Sequence, residues 1–249
     1  MPLADLSMTA ERPPGHVGSS DVLGRTRTVA ALFCRADSHY KALPAVDVWD
    51  EARDARQWPG GVPLVAHPPC RLWAKLRQFA KAKEPAMERQ LAIDAVRRVQ
   101  RFGGVLEHPA ESTLWAHMGL PTPGRAPDQH GGWTAEIRQC DWGHKAEKLT
   151  WLYVVGCHPD DLPPMPPRGE PTGVIKPQRG IPRDGRKIVT KAEREHTPPE
   201  LALWLVELAR RCQVRPNAKV SCRSPNDSET ESPYSAVGST DGLGGNNGE

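Results

Sequence analysis

The chain has 249 residues and a net charge of only +3, from 33 Lys and Arg against 30 Asp and Glu. Hydrophobic residues make up 38%, a low share for a chain packed throughout, so a folded centre with disordered ends is expected. No run approaches the ~20 apolar residues of a membrane-spanning helix, and the N-terminus MPLADLSMTAERPPGH has neither the basic nor the apolar region of a secretory signal.

Residues 1–24 are polar, hold Pro, Gly and Ser, and show no periodicity; they are expected to be a disordered lead. TVAALFC, from Thr28 to Cys34, reads as a strand, VDVWD (Val46 to Asp50) as a second, and VPLVAH (Val62 to His67) as a third that runs into Pro68-Pro69. RLWAKLRQFAKA, after Cys70, reads as a helix. From Glu84 to Arg101 a helical period places Met87, Leu91, Ile93, Val96 and Val99 near one another, and Gly103-Gly104 ends it. GVLEH (Gly104 to His108) is a fourth strand. AEIRQCDW (Ala135 to Trp142) and TWLYVVG (Thr150 to Gly156) are two more, joined by the charged turn GHKAEK. Residues 157–196 are Pro-rich and then basic, and predict a long, weakly structured insertion. TPPELALWLVELARR (Thr197 to Arg211) is a final helix with Thr197 as its expected N-cap and arginines in its last turn. Residues 213–249, Ser-, Gly-, Asn- and acid-rich, predict a disordered tail.

The alternation of strands and helices over 25–212 predicts one α/β domain with a mainly parallel sheet and flanking helices. In such sheets ligands gather beyond the carboxyl ends of the strands. That directs attention to Arg35 to Ser38, Asp50, His67 to Cys70, and Glu107-His108-Pro109. The six cysteines are scattered with no CxxC pair, which fits a reducing, cytoplasmic setting better than a disulfide framework. The tail from Gln213 carries three basic and five acidic residues. The folded centre is therefore more basic than the whole chain, compatible with a phosphate-rich partner.

Two features point to chemistry. Cys70 follows a strand and two prolines that fix its backbone. The expected helix behind it would offer the positive end of its dipole, and Arg71 a charge, both favouring the nucleophilic thiolate; the plainer reading is a small buried residue in a turn. Glu107 ends an otherwise apolar strand. It is either paired for structure or placed to hold a substrate, and burial would raise its pKa toward the range of a general acid. Both residues belong to the same end of what are expected to be neighbouring parallel strands.

A strand ending in Pro-Pro-Cys and a later strand ending in Glu-x-Pro resemble the DNA cytosine-5 methyltransferases. The resemblance implies that Cys70, after Pro69, attacks C6 of cytosine, and that Glu107, in Glu107-His108-Pro109, holds and protonates N3; the family has Asn where His108 stands. GHKAEKLTWLY is similar to a family segment that helps hold the target base, with Lys148 and Thr150 matching and Glu147 standing where Arg is expected. HTPPELALWL is similar to the family's late Thr-x-x-Glu helix. Thr28 to Arg211 as a whole looks like short, phage-borne relatives of these enzymes, which implies a host cytoplasmic location. The resemblance implies a Rossmann-like fold, DNA as partner and S-adenosylmethionine as methyl donor, with Phe33, Asp37 and Asp50 the residues at the donor's position. It departs from the family in the donor loop, where FCRADSHYK has no glycine, and in the short step from Asp50 to Val62. The target base must be flipped out or single-stranded. Trp73, Trp133 and Trp142 are candidates for stacking or for the core, and the basic stretch Lys176 to Arg194 for phosphate contacts.

Three alternatives stay open: an inactive, methyltransferase-like DNA-binding protein; a base-modifying enzyme with another donor; and a zinc site built from His67, Cys70, His108, His144, Cys157 and His158. The zinc deaminase order His-x-Glu then Pro-Cys-x-x-Cys is absent, and no metal ligand is assigned. Walker, Ser-His-Asp and HExxH patterns are absent too.

Overall fold

The computed structural model describes residues 26–75, 77–175 and 185–213, all within one compact unit. The expected disordered segments, 1–24 and 213–249 apart from Gln213, lie outside the described residues, as does 176–184 of the basic stretch. The first half of the fold is β1 (Val29–Cys34), β2 (Val46–Asp50), β3 (Leu64–Ala66), α1 (Pro85–Phe102), β4 (Gly104–Pro109) and α2 (Thr113–Met118). The second half is β5 (Trp133–Arg138), β6 (Leu149–Val155), the two-residue strands β7 (Gly173–Val174) and β8 (Lys187–Ile188), α3 (Lys191–Glu195) and α4 (Pro199–Arg211).

Six strands form one sheet in the order β2-β1-β3-β4-β6-β5. β1 pairs in parallel with β2 and β3, and β3 in parallel with β4; β6 runs antiparallel between β4 and β5. The parallel part explains the unbroken apolar runs of the sequence, because such strands bury both faces. Val29 and Ala31 of β1 pack in one layer with Val65, Val105 and the α4 residues Leu201, Leu205 and Leu208. Ala30 and Leu32 pack in the other with Leu64, Leu106 and the α1 residues Ala92, Ala95, Val96 and Val99. Each fully buried Leu or Val contributes about 1.5–3 kcal/mol.

Gly103 and Gly104 turn the chain from α1 into β4. The Gly103 N–H caps α1 on the Val99 carbonyl at 2.9 Å. A Cβ on Gly104, at φ 122°, would collide with the Leu64 carbonyl, so the approach of β4 to β3 requires glycine there. On α1 the buried stripe is built from small residues, and Met87, expected on it, is 39% exposed.

Three other expectations are corrected. Residues 71–75 form turns and 77–82 hold one short 3-10 helix, Arg77–Phe79, in place of a long helix. The carbonyl of Trp73, which a helix would hand to residue 77, accepts from both the backbone N–H and the hydroxyl of Thr113 at 3.0 Å. The final helix starts with Pro198 at its N-cap and no side-chain cap, so Thr197 stands one position too early. The strand expected through Trp142 stops at Arg138, and Gln139–Trp142 is a 3-10 turn closed by left-handed Gly143. Trp73, Trp133 and Trp142 are all core residues, so none is free to stack on a base. Among the described residues, no helix is long and apolar enough to cross a membrane.

Candidate active site at the tips of β3, β4 and β6

β3 and β4 are adjacent and parallel, so the chain leaving β3 through His67-Pro68-Pro69-Cys70 emerges beside the end of β4, where Glu107 lies. Strand alternation turns Glu107 to the α4 side of the sheet, the side of its neighbour-but-one Val105. The antiparallel pairing of β4 with β6 sets Pro109 opposite Thr150, which brings the turn holding Lys148 to the same edge.

Glu107 is the centre of a hydrogen-bond network. Its Oε2 lies 3.0 Å from Nδ1 of His67, and its Oε1 accepts from Nε2 of Gln139 at 2.9 Å. Gln139 donates as well to the Thr150 hydroxyl at 3.0 Å, and Thr150 donates to the Lys148 carbonyl at 3.1 Å. On the far side, Nε2 of His67 is 2.8 Å from the hydroxyl of Tyr40. The site therefore draws on the β1–β2 connection, the end of β3, β4, the end of β5 and the start of β6.

The charge state of Glu107 is the reverse of the one expected from burial. Burial pushes its pKa upward, but the Lys148 ammonium, the hydrogen bond and charge of His67, and His108 together hold it at about 2. The acid rests as a carboxylate. Cys70 is corrected too: with no helix behind it there is no dipole, and Arg71 is spent on a bidentate pair with Glu88 at 2.6 Å. Burial, and then the negative charge of Glu107, raise the thiol's pKa against the opposing pull of Lys148. At rest the thiol is protonated and the acid ionised. Lys148 sits at φ 37°, in the left-handed region that a side chain occupies only when its surroundings impose it.

The other residues singled out by sequence divide. Pro69 and Pro109 border the site on their strand ends and are partly exposed. Thr150 is fully buried and reaches Gln139, so it orders the network instead of meeting a ligand. His108 is corrected: alternation sends it to the α1 side, where it is 0% exposed beside Trp115 at 6.2 Å between ring centres. Neither of its ring nitrogens has a hydrogen-bond partner, and burial, despite Glu107, lowers its pKa to about 4. Glu147 pairs with Arg138 at 2.9 Å. For zinc, both nitrogens of His67 are already engaged, and among the described residues no group of three His, Cys, Asp or Glu side chains is placed to hold a metal.

At the neighbouring tips of β1 and β2 a cleft of about 340 Å³ is lined by Cys34, Arg35, Ala36, Asp50, Glu51 and Ala52. It lies beside the point where the chain order reverses about β1, where open α/β sheets bind ligands. Of the three residues assigned to the donor, Asp50 alone lines it. Its carboxylate is held by Lys41 at 2.7 Å and by the Arg53 N–H at 3.1 Å, and the Lys41 bond leads in holding its pKa low. Asp37 is exposed and tied to Arg35 at 2.9 Å. Phe33, at φ 60° on a β-bulge, packs with the layer on the α1 side. Between Asp50 and β3 there is only a 3-10 turn at Ala55–Gln57. Burial pushes the Cys34 thiol up to about 12, so it is inert.

Sequence reasoning missed Tyr40 and Gln139 and saw His67 as a strand-end residue and a candidate metal ligand, not as a partner of Glu107. Gln139 had one signal, its place at the end of a strand whose partner carries Lys148 and Thr150. Tyr40 had none. The turn of α3 closes one rim of the site: His144 Nε2 meets the Glu193 carbonyl at 3.1 Å, and Arg35 lies 3.6 Å from Glu195. No protein-family model matches the chain, and no curated protein matches it in sequence.

Proposed function

We propose that the chain is a pyrimidine-modifying enzyme acting on DNA through a covalent Cys70 adduct, of the cytosine-5 methyltransferase type, on a Rossmann-like sheet. What carries the reading is convergence. The segments that separately resemble that family, Pro69-Cys70, Glu107 with Pro109, and Lys148 with Thr150, come from three strands and meet around one buried carboxylate.

The resting protonation states suit the chemistry. Adding a thiol to C6 of cytosine requires that sulfur lose a proton and that N3 gain one. Cys70 begins protonated and Glu107 ionised, so the sulfur proton passes to the Glu107 carboxylate and from it to N3 as the S–C6 bond forms. The electron pair of the C5=C6 bond is then delivered to C5, which attacks the carbon of an electrophilic one-carbon donor, and the donor's bond to that carbon breaks with its electron pair leaving on the departing group. A base takes the C5 proton, the C5=C6 bond re-forms, the S–C6 bond breaks, and N3 returns its proton. This divides one difficult substitution into easier covalent steps. Lys148 holds the acid ionised at rest and offers an N–H donor to the ring.

The donor cleft fits S-adenosylmethionine in one respect only. Asp50 stands at the tip of β2, where a ribose-binding carboxylate belongs, but it is committed to Lys41, and Arg35, Ala36 and Asp37 carry side chains where the family has glycine. The basic side chains Lys148 and Arg194, at the rim, fit a DNA backbone; Lys145 and Lys191 pair with Glu193 and Glu195.

The test is mass spectrometry of nucleosides from the DNA of cells expressing the chain or its Cys70→Ser variant. A modified cytosine present only with the unaltered chain is expected, and its mass names the group added. DNA left unmodified by the unaltered chain would sink the reading and leave a DNA-binding module.

A further inference from the structure

The chemistry above uses Cys70, Glu107 and Lys148 and leaves unused the two residues that complete the network, Tyr40 and His67. We propose that Tyr40 and His67 are positioning residues for Glu107: the phenol fixes the imidazole tautomer, and the imidazole fixes the carboxylate. The consequence for catalysis rests on the pyrimidine-modifying reading; the geometry does not.

The direction of the chain follows from donors and acceptors. An ionised carboxylate only accepts, so Nδ1 of His67 carries the hydrogen of the 3.0 Å contact with Oε2. Nε2 of the neutral ring then presents its lone pair to the Tyr40 hydroxyl at 2.8 Å. Tyr40 is 1% exposed. Burial first, and then the nearby Cys34 and Glu107, push the phenol's pKa well above its ordinary value, so it remains a donor. The second oxygen, Oε1, is held by Gln139 at 2.9 Å. With one oxygen gripped from β3 and the other from the end of β5, the carboxylate cannot rotate without breaking a bond, and each oxygen keeps a lone pair for a ring edge. The charged and titratable groups acting on Glu107 are Lys148 and His67, with Cys70 and Tyr40 sensing its charge and His108 acting from the opposite face of β4; those bonded to His67 are Tyr40 and Glu107.

The same three residues have the connectivity of a nucleophile, a base and an orienting acid. Burial excludes Tyr40 as a nucleophile, since no substrate reaches a side chain so enclosed.

Asparagine places its amide nitrogen near the Nδ1 position of histidine, and glutamine reaches the Nε2 position. His67→Asn therefore keeps the donor to Glu107, while His67→Gln keeps only the side toward Tyr40. The first measurement is ¹⁵N NMR of the unaltered full chain, in which His67 is expected as the Nδ1–H tautomer; the Nε2–H tautomer overturns the proposal. The second is a ¹³C NMR titration of the Glu107 carboxyl. Half-ionisation is expected at about 2 in the unaltered chain, to climb furthest toward the ordinary carboxylate range in His67→Gln, and to climb less in His67→Asn, which keeps the hydrogen bond but not the imidazole charge. A packing role alone would rank the larger glutamine above asparagine, and a Glu107 titration unmoved by His67→Gln overturns the proposal.

The yield of modified nucleoside should fall roughly ten- to hundredfold in His67→Gln and recover in His67→Asn, as expected for a residue that orients a reacting group. If the NMR results are as expected while the unaltered chain modifies no DNA, the positioning pair stands and the pyrimidine reading falls. If His67→Gln modifies DNA as well as the unaltered chain does, the positioning pair falls and the reading stands.

Discussion

The tips of β3, β4 and β6 and the tips of β1 and β2 lie side by side on one sheet, yet they handle carboxylates in opposite ways. Glu107 is buried, and its partners are His67, Gln139 and the through-space charge of Lys148, an arrangement that keeps a charge ready beside a thiol. Asp50 and Asp37 are consumed by Lys41 and Arg35, as ordinary ion pairs that tie one turn to the next. Buried polar groups serve as a site when their partners leave capacity facing a ligand, and only the first region does so. The proposed chemistry at the base therefore draws on the first region, and the donor that the resemblance implies has no comparable set of partners in the second.

The largest effect should come from the sulfur. Cys70→Ser replaces the nucleophile with a far weaker acid and should remove the modified nucleoside entirely while leaving thermal melting unchanged. A mutant that keeps full activity would erase the contrast by removing chemistry from the stronger region.

Glu107→Gln comes next. It should slow modification by about 10²–10⁴-fold, with DNA retention on a filter little altered; equal losses in both would make Glu107 structural. Its pH signature is separate. The folded carboxyl titrates at about 2 against an ordinary value of 4.5, so the stability it contributes is present above pH 4.5 and is lost as pH falls through 2. That contribution is on the order of 3 kcal/mol. Acid denaturation of Glu107→Gln should lack this part of the slope.

The cleft predicts a smaller, negative result. S-adenosylmethionine should leave the melting temperature of the full chain unchanged. A rise that Asp50→Asn removes would place the donor there and make the two regions partners.

The smallest effect concerns the residue beside Glu107. His108 is buried, neutral and without hydrogen-bond partners on the opposite face of β4. Its unfolded form takes up a proton near 6.5 and the folded form only near 4, so stability declines as pH falls across that interval. His108→Leu should flatten that decline and stabilise the fold by about 1 kcal/mol. Two neighbours in one strand thus have depressed pKa values of opposite meaning, because one is ringed by donors and a cation and the other by hydrocarbon and indole.

Much of the frame is legible in the residues. The apolar runs at Val29–Cys34 and Leu64–Ala66 declare strands, because central strands of a parallel sheet are buried on both faces, whereas Val46–Asp50, at the sheet edge, is half-buried and shows itself by alternation. Pro85 and Gly103 bracket α1 for local steric reasons that need no tertiary partner. That the chain leaves β3 and β4 at one edge, carrying Cys70 and Glu107, was legible as well, since adjacent parallel strands place their exits together.

What tertiary structure alone decided depends on partners distant in the chain. Thr113 captures the Trp73 carbonyl and denies Cys70 its helix. Tyr40 and Gln139 reach Glu107 from segments with no local pattern linking them to it. The charge on Glu107 follows from the same fact: burial, which the strand's apolar context foretells, raises a carboxyl's pKa, while Lys148 and His67, which lead in reversing it, are brought to it only when distant segments fold together.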